Sequence, residues 1–364
     1  MFSISGKALS DAFKIASQAV LPRSPFPAFT HIRVMARADA ESLSFTGSSG
    51  HVTVTVNAEA ELVDDLDVCL PADKLNAVCG MGAERVTFTA DGAKVVARAG
   101  KCRLTMLSLP GQDFALPNLE GSPEVVFDAP GLTDLIPSVS FAAAGPKYHD
   151  RPILRNLWVE CDGTSIHLVA SDNLMLAVNA VPAASGEFGR DIPSFGFALP
   201  DAAADLLSTI GADHFEVFPG HVLASRRGVK IVCSRTPGQY GQWRRIIPNP
   251  DQFVTFSRED LAKVCPLHRI FDTVGAIRLE QDGNYCSLTI ADGSQAVEAE
   301  LELTQFSEES HLEATFVGAQ LMRMLGQVKT DDVSLSWATP KDKAPTVFLL
   351  QDGSWRGVLS TLRT

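Results

Sequence analysis

The side chains best able to do chemistry in this sequence are scattered rather than clustered. Asp172 directly follows Ser171, but a nucleophilic serine would need a histidine or lysine base, and the sequence places none beside it. We therefore predict that Asp172 caps a turn through its carboxylate. A competing hypothesis is an α+β repeat enzyme whose site is assembled from dispersed residues such as His149, Asp150 and Asp172.

The motifs that usually mark catalysis or metal binding are missing. No phosphate-binding glycine loop of the G-x-x-x-x-G-K-[ST] or G-x-G-x-x-G kind occurs, and Gly47-Ser48-Ser49-Gly50 is one residue short of a G-x-S-x-G nucleophile elbow. The eight histidines include no H-x-x-x-H pair. Seven scattered cysteines without a C-x-x-C pair argue against disulfides and structural zinc, and fit a reducing cytosol. The sequence therefore predicts no catalytic residue, no metal and no cofactor.

Length and charge limit the remaining classes. With 364 residues the chain is long enough for two or three domains. No apolar run approaches the length of a membrane span, and the N-terminus lacks the layout of a signal peptide. We therefore expect a cytoplasmic protein with no membrane partner. The 31 Lys and Arg against 43 Asp and Glu give a formal charge of −12, which disfavours a protein that grips DNA through a basic groove.

A strand followed by an amphipathic helix recurs three times. The strands begin at Phe2, Val125 and Val254, and the predicted helices cover Lys7–Val20, Leu132–Ala142 and Glu259–Phe271. A second set of strand–helix segments recurs in step, beginning at Cys69, Ala198 and Thr315. This spacing predicts three similar domains, 1–122, 123–251 and 252–364. Each would carry two short helices on antiparallel sheets of about eight strands, which is an α+β fold.

Turn residues support this organisation. Asp-Gly pairs stand between alternating strands, as tight hairpins require, at Asp91-Gly92, Asp162-Gly163, Asp282-Gly283, Asp292-Gly293 and Asp352-Gly353. Prolines near Pro117–Pro123 and Pro248–Asp251 mark the two linkers.

Several predicted helices have a polar face that carries cations. In the first, Lys7, Ser10, Lys14 and Ser17 lie together without a carboxylate, and Arg23 follows. The simpler interpretation of any one such face is contact with solvent. Its recurrence in an acidic chain favours a concentrated surface for a phosphate backbone, although the fourth helix carries acids in these positions.

Four stretches in matching order carry a family resemblance. Arg151–Glu160 (R-P-I-L-R-N-L-W-V-E) and Leu168–Val178 (L-V-A-S-D-N-L-M-L-A-V) resemble the central-domain signature of the bacterial sliding clamp family, the beta subunit of DNA polymerase III, where the second stretch commonly reads V-A-T-D-G-H-R-L-A. Gln239–Pro248 is similar to the family's F-P-D-Y-R-R-V-[IL]-P, and Ser108–Phe114 to its L-P-x-x-D-F-P. The resemblance covers the whole chain, including its length and threefold repeat.

The resemblance implies a ring of three repeated clamp domains per chain. Two chains would close head to tail, with short helices lining a hole around duplex DNA, and the ring would itself be non-catalytic. A DNA polymerase and a clamp loader would be the partners, each bound through a short linear peptide motif. The expected DNA-binding residues are Lys7, Lys14, Arg23, Lys147, Arg151, Lys263 and Arg323. An auxiliary or phage-borne clamp is an alternative within the family.

The same resemblance implies a subunit interface. Its expected residues are Lys74, Arg98, Lys101, Arg103, Leu104, Ile270, Phe271, Glu298, Glu300 and Glu302. The alternating acids would face the bases across two strand edges, with Ile270 and Phe271 beside Leu104. A second interpretation of the acids is protection of a strand edge against aggregation.

The family's peptide groove is the last expectation. Carried over position by position, its lining would be Leu154, Ser171, Asn173, Leu174, Leu176, Gly241, Arg245, Ile246, Val358 and Leu362. These residues also fit a plain core and chain terminus. The sequence departs from the family here, because Leu174-Met175 replaces His-Arg, Gly241 replaces a proline, and the last five residues replace M-P-M-R-L. We therefore expect an altered partner preference and weak binding of a standard clamp-binding pentapeptide.

Overall fold

The computed structural model describes residues 1–119, 121–145, 151–183, 192–271, 275–292, 295–339 and 345–362. The helices are α1 (Gly6–Ala16), α2 (Ala72–Cys79), α3 (Pro137–Ser140), α4 (Asp201–Ile210), α5 (Arg258–Val264) and α6 (Gly318–Leu325). The strands of the first third are β1 (Phe2–Ser5), β2 (His31–Arg37), β3 (Ser42–Ser48), β4 (Val52–Ala58), β5 (Glu61–Leu62), β6 (Leu66–Pro71), β7 (Arg85–Asp91), β8 (Lys94–Ala99), β9 (Cys102–Leu107) and β10 (Leu109–Pro110).

The remaining strands lie in the central and last thirds of the chain. In the central third they are β11 (Val125–Asp128), β12 (Asn156–Cys161), β13 (Ser165–Ser171), β14 (Met175–Pro182), β15 (Phe195–Pro200), β16 (His214–Val217), β17 (His221–Arg226) and β18 (Val229–Ser234). In the last third they are β19 (Gln252–Ser257), β20 (Ala276–Asp282), β21 (Tyr285–Asp292), β22 (Gln295–Phe306), β23 (Glu313–Val317), β24 (Asp332–Trp337), β25 (Val347–Asp352) and β26 (Trp355–Ser360).

The order of these elements repeats three times. A strand leads to a first helix at β1–α1, β11–α3 and β19–α5, and a later strand leads to a second helix at β6–α2, β15–α4 and β23–α6. The predicted α+β class is therefore confirmed. The domain ranges 1–122, 123–251 and 252–364 stay a prediction.

The first helix of each repeat is shorter than its periodicity predicted. α1 ends at Ala16 and continues only as a 3-10 turn, and α3 has four residues after a separate 3-10 turn at Thr133–Leu135. α5 gives way to a 3-10 segment at Cys265–Ile270. Pro266 lies at the start of that segment, and proline has no N–H to continue the α-helical ladder. Periodicity therefore identified these helices but overestimated their length.

The chain divides into two compact units. The first comprises Met1–Asp134, Ala183–Phe195 and Ala202–Thr236, and the second comprises Leu135–Pro182, Gly196–Asp201 and Pro237–Thr364. Each unit has its own antiparallel sheets.

The first unit holds two sheets. One has the strand order β5-β1-β7-β8-β9, and the other has the order β10-β6-β2-β3-β4-β18-β17-β16-β11. Ser5 caps α1 by accepting the Ala8 N–H at 3.1 Å, and Leu9, Ala12 and Ala16 bury its inner face. A Cβ at Gly47 on β3 would lie 2.1 Å from the Ala16 carbonyl oxygen, so only glycine allows α1 this close to the sheet.

The second unit is built on one long sheet. Its order is β15-β12-β13-β14-β26-β25-β24-β19-β22-β21-β20-β23. Phe348 packs edge to face on Phe316 and tilted on Trp337, at ring-centroid distances of 5.2 and 5.4 Å. Leu321 and Met324 on α6 are buried.

Three of the predicted Asp-Gly hairpins are confirmed by strand register. Asp91 pairs with Lys94, Asp282 with Tyr285, and Asp352 with Trp355, each across a two-residue turn. The glycines at 92, 283 and 353 have φ values of 59°, 57° and 59°, which glycine adopts without strain. Gly293 of the predicted turn at 292–293 lies outside the described residues. No helix in the described ranges is long and apolar enough to cross a membrane.

Candidate functional sites

The loop between β13 and β14 is shaped by its own side chains. The Ser171 hydroxyl donates to the Met175 carbonyl oxygen at 2.8 Å and accepts the Asn173 N–H at 3.2 Å. One Asp172 carboxylate oxygen accepts the N–H groups of Leu174 and Met175 at 2.9 and 2.8 Å, which confirms the predicted capping role. Asn173 takes a left-handed conformation (φ 74°), and Leu174 at the loop tip is 42% exposed.

The C-terminal strand lies beside this loop. β26 pairs with β14, with Leu176 opposite Val358, and the Ser360 N–H donates to the Leu174 carbonyl oxygen at 2.8 Å. Two residues further on, the Leu362 N–H donates to the Thr315 carbonyl oxygen at 2.7 Å. Backbone hydrogen bonds therefore hold Ser360 beside the loop that carries Leu174, and Leu362 beside β23.

An apolar cluster, here called the groove floor, lies among these strands. Its buried members are Trp158, Val169, Leu176, Val178, Ala198, Trp243, Leu349 and Val358. Ile153, Tyr240, Ile247 and Val347 are partly buried and pack against it. The floor thus includes two of the predicted groove residues, Leu176 and Val358.

Residues 240–246, here called the wall segment, are linked to β12 by a carboxylate. The indole N–H groups of Trp158 and Trp243 both donate to one oxygen of Glu160, at 2.9 and 3.0 Å. Arg244 binds the other oxygen and lies 4.2 Å from the centre of the Trp243 ring. Burial would raise the pKa of Glu160, but hydrogen bonds from Arg244 and the two indoles outweigh burial and lower it. Glu160 is therefore held ionised.

The ten predicted groove residues all lie in the second unit, at different depths. The exposed ones are Asn173, Leu174, Gly241, Arg245 and Ile246, the half-buried one is Leu362, and the buried ones are Leu154, Ser171, Leu176 and Val358. An apolar floor bordered by exposed aliphatic side chains suits a peptide with aliphatic and aromatic anchors. The peptide-binding role of these residues stays a prediction.

The predicted DNA-binding cations of the first unit lie on exposed positions. Lys7 and Lys14 are exposed on α1, and Arg23 is exposed in the loop after it. On the opposite side of α1, Leu9, Ala12 and Ala16 are buried, whereas Phe13 is only half-buried. The cationic face of α1 remains open to solvent.

The cations of the second unit are partly engaged. The Lys263 ammonium lies 2.8 Å from Glu259. The Arg323 guanidinium carbon lies 5.6 Å from the centre of the Phe141 ring. Arg151 donates to the Asn173 side-chain oxygen at 3.2 Å and so touches the predicted groove rather than a helix face. The remaining candidate, Lys147, lies outside the described residues, as do His149 and Asp150.

The basic side of the predicted interface lies at a sheet edge. β9 is the last strand of the five-stranded sheet and carries Arg103 and half-buried Leu104. Arg98 on β8 stands directly opposite Arg103, and Lys101 lies in the connecting turn. Like charges in register across two strands are unfavourable, which makes this edge a good site for an acidic partner. Lys74, also predicted, is exposed on α2 with its ammonium 3.2 Å from Asp73.

The acidic side lies on β22. Residues 295–302 pair with β21 only, and 303–306 pair with β19, so within the described residues the outer edge of 295–302 is unpaired. Exposed Glu298, Glu300 and Glu302 alternate with half-buried Ala299 and buried Leu301. The other two predicted interface residues end the 3-10 segment after α5, where Ile270 is 63% exposed and Phe271 is half-buried.

Sequence reasoning missed the residues that place the wall segment. Trp158, Glu160 and Trp243 belong to no repeat, and Trp243 is 83 residues from Glu160. The only available signal was the presence of two tryptophans within the stretches that carry the family resemblance. Among the described residues, no group of three or more His, Cys, Asp or Glu side chains is placed to hold a metal ion.

Known proteins resemble the chain in both sequence and fold. No family model matches it. The beta sliding clamp of Pseudomonas putida is 23% identical over 346 residues, which cover 92% of each chain, and that of Escherichia coli is 25% identical over 280 residues, which cover 73% of this chain and 74% of that protein. The sliding clamp structure of Pseudomonas aeruginosa, a DNA polymerase III beta subunit, superimposes with a TM-score of 0.90 at 20% identity, over 100% of this chain and 99% of that one.

The fold match extends to more distant bacteria. The DNA polymerase sliding clamp of Bacillus subtilis has a TM-score of 0.87 at 17% identity, over 100% of this chain and 99% of that one. The relatives agree along nearly the whole length, with the same repeated α+β architecture. In sequence the chain is therefore similar to bacterial beta sliding clamps, and it shares their fold.

Proposed function

We propose that the chain is a DNA sliding clamp, a processivity factor that encircles duplex DNA and tethers the replicative polymerase during DNA replication. The observation that carries this conclusion is the full-length match to beta sliding clamps, at 92% coverage in sequence and a TM-score of 0.90 in fold. The similar proteins are non-catalytic clamp subunits, so the chain is proposed not to be an enzyme, and this argues against the hypothesis of a dispersed active site. A replication clamp of this family acts on the chromosome, and the proposed location is the cytoplasm.

The proposed ring is a head-to-tail homodimer. The β9 edge of one protomer would pair with the β22 edge of its partner. This contact is heterologous, because two different edges meet. A ring closes when the partner's β9 edge pairs in the same way with the first protomer's β22 edge. Two observations support it. Both edges are open among the described residues, and Arg103 on β9, with Arg98 opposite it on β8, matches in charge Glu298, Glu300 and Glu302 on β22. The exposed Ile270 gives the contact an apolar component.

DNA would be held by topology and weak contacts. The exposed cations on α1, Lys7 and Lys14, would meet phosphates without reading sequence, with many contacts made through water. A formal charge of −12 disfavours tight binding of DNA elsewhere on the surface. A ring of this kind retains DNA while allowing it to slide.

Polymerases and the clamp loader would bind the peptide groove. Its floor is apolar, and exposed Leu174, Ile246 and Arg245 border it. This lining suits a short linear peptide with aliphatic and aromatic anchors and one polar residue. The sequence has no nucleotide-binding motif, so an external ATP-driven loader would open the ring.

A specific observation favours a second candidate, an auxiliary or phage-borne clamp with an altered partner preference. Leu174 is exposed at the loop tip where the family commonly has histidine, and nothing lies within 4 Å of a Cβ added at Gly241, where the family has proline. Both changes fall on segments that border the proposed groove. Both changes would alter peptide recognition, and neither lies on β9 or β22, the strands of the proposed ring contact.

Retention on circular DNA tests the function. The purified protein, a bacterial clamp loader and ATP are incubated with nicked circular DNA, and the bound fraction is separated by gel filtration. We expect the chain to elute with the circle and to be released when a restriction enzyme cuts the DNA. Equal retention on linear and circular DNA, or no retention on either, contradicts the proposal.

A further inference from the structure

The wall segment fixes its own shape by local hydrogen bonds. The Trp243 N–H donates to the Gly241 carbonyl oxygen at 2.7 Å, the Arg245 N–H to Gln242 at 3.1 Å, and the Ile246 N–H to Trp243 at 3.0 Å. These bonds hold a 3-10 turn together but do not determine where the turn lies against the sheet. Side chains must determine its position.

The side-chain links of the wall segment converge on one short stretch of chain. Trp243 and Arg244 bind Glu160 on β12, and Arg244 also reaches Asp162 at 3.3 Å. The Tyr240 ring stacks on Trp158, two residues before Glu160, with ring centroids 5.6 Å apart. Glu160 accepts from both tryptophans through the same oxygen and is the common point of these links.

The backbone of the wall segment carries little conformational restraint of its own. Gly241 stands where the family has a proline, and a glycine loses more backbone freedom on ordering than a proline does. Nearby Gly238 takes φ 135°, a conformation that side chains disfavour. The segment therefore depends on its side-chain anchor more than a proline-containing segment would.

Glu160 itself sits on a rigid element. β12 pairs with β13, with Glu160 opposite His167. The neighbouring Asp162 carboxylate lies 2.8 Å from the His167 imidazole and accepts the Thr164 and Ser165 N–H groups at 3.0 Å. The acceptor that holds the wall segment is thus fixed by the sheet.

We propose that Glu160 is a positioning residue for the peptide groove: its carboxylate binds the two indole N–H groups and Arg244, and so sets the place of the wall segment that presents Arg245 and Ile246. This inference rests on the proposed peptide groove. Glu160 acts through Trp243 and Arg244 and need not touch the peptide. Removal of its carboxylate should therefore weaken peptide binding while ring formation continues.

Peptide affinity of Glu160 variants tests the inference. The probe is a synthetic pentapeptide with aliphatic and aromatic anchors and one polar residue, titrated into the full-length dimer by calorimetry. We expect Glu160→Ala to weaken binding by about tenfold, which corresponds to about 1.4 kcal/mol. Glu160→Gln keeps a carbonyl acceptor for the indoles but loses the charge that binds Arg244, so its loss should be about threefold.

Two further measurements separate positioning from general damage. Glu280→Ala is the matched control, because it removes another carboxylate paired with an arginine, Arg278 at 3.1 Å, on β20, which does not pair with β12. It should bind peptide like wild type. Tryptophan fluorescence should change in Glu160→Ala and not in Glu280→Ala, since only the first releases indole N–H groups.

The experiment separates failure of the proposed Glu160 role from failure of the proposed peptide groove. If the wild-type dimer binds no peptide, the proposed groove is wrong. If wild type binds and Glu160→Ala binds equally well, the positioning role is wrong. If Glu160→Ala does not fold, Glu160→Gln and Trp243→Phe decide, because each weakens the anchor without leaving a cavity at Glu160. Unchanged affinity in both variants overturns the inference.

Discussion

The ammonium group of Lys263 lies 2.8 Å from the carboxylate of Glu259, one turn earlier on α5. Glu259 raises the pKa of Lys263 through this hydrogen bond and its charge, and Asp260 at 3.4 Å adds to it. Lys263 is thus already surrounded by acids, whereas Lys7 and Lys14 on α1 make no ion pair among the described residues. Its contribution to DNA binding should be the smaller one.

This difference predicts distinct salt dependences. The logarithm of the association constant for duplex DNA falls linearly with the logarithm of the salt concentration. Lys14→Ala should make this negative slope shallower by about 0.9, the value for one lost phosphate contact. Lys263→Ala should leave the slope nearly unchanged. Fluorescence anisotropy at several salt concentrations measures both, with Lys7→Ala as a second example of an unpaired cation. Equal slopes for the Lys14 and Lys263 variants contradict the assignment.

Substitution of Leu362 tests the groove directly. Its N–H is held by the Thr315 carbonyl oxygen, so a new side chain leaves that backbone bond in place. Leu362→Asp puts a carboxylate beside apolar peptide anchors and should reduce pentapeptide affinity more than tenfold, because burial of an unpaired charge costs more than about 1.4 kcal/mol. Leu362→Met is the conservative control. Equal affinity of wild type and Leu362→Asp by calorimetry removes Leu362 from the site.

Charge reversal on β22 should separate the protomers. Glu300 and Glu302 project from the edge proposed to face Arg98 and Arg103, so Glu300→Lys with Glu302→Lys replaces attraction by repulsion. We expect light scattering to give the mass of a monomer. The matched control is Glu308→Lys with Glu309→Lys, the same charge change on exposed residues just after β22. A dimeric mass for the edge variant refutes the interface.

Acid should weaken the second unit through Asp162. Burial would raise the pKa of Asp162, but hydrogen bonds from Thr164, His167 and Ser165 outweigh burial and hold that pKa well below its ordinary value. A lowered folded-state pKa gives stability that is present above the unfolded pKa of about 4 and is lost as pH falls below it. Asp162→Asn should therefore be less stable than wild type at pH 7, by an amount that shrinks near pH 3.

Urea unfolding at both pH values measures that difference. Asp282→Asn, a change of an exposed aspartate at the end of β20, is the control for loss of one carboxylate. If the free energies of unfolding of wild type and Asp162→Asn differ by the same amount at pH 7 and pH 3, Asp162 stabilises the fold without its charge.

The repeat, the hairpins and the turn-capping role of Asp172 could be predicted because each follows from local sequence. The ends of the helices could not be predicted from periodicity. After α5, for example, the apolar pattern continues through Pro266 although the α-helix ends at Val264 and a 3-10 segment follows. The pairing of Lys263 with Glu259 was open to prediction from its i,i+4 spacing. The Glu160 anchor was not, because it joins residues far apart in sequence, and no periodicity marks which acceptor a distant indole will find.

Cysteine reactivity gives an independent probe of the proposed interface. Burial raises the pKa of most of the thiols, to about 11 for Cys69 and Cys79 and to about 12 for Cys233, Cys265 and Cys286. Buried Cys161 also has a raised pKa, whereas Cys102 is exposed. Because the thiolate is the reactive form, we expect the exposed Cys102 to react with a disulfide reagent much faster than the other cysteines near pH 8.

The position of Cys102 makes that fast reaction informative. It is the first residue of β9, next to Arg103 on the edge proposed to bind β22 of the partner subunit. The wild-type dimer should shield it, and the Glu300→Lys, Glu302→Lys variant should expose it, so the rate should rise severalfold in the variant. Urea, which exposes all seven thiols, gives the reference count. If wild type and variant react at the same rate while their masses differ, the protomers meet elsewhere than at β9.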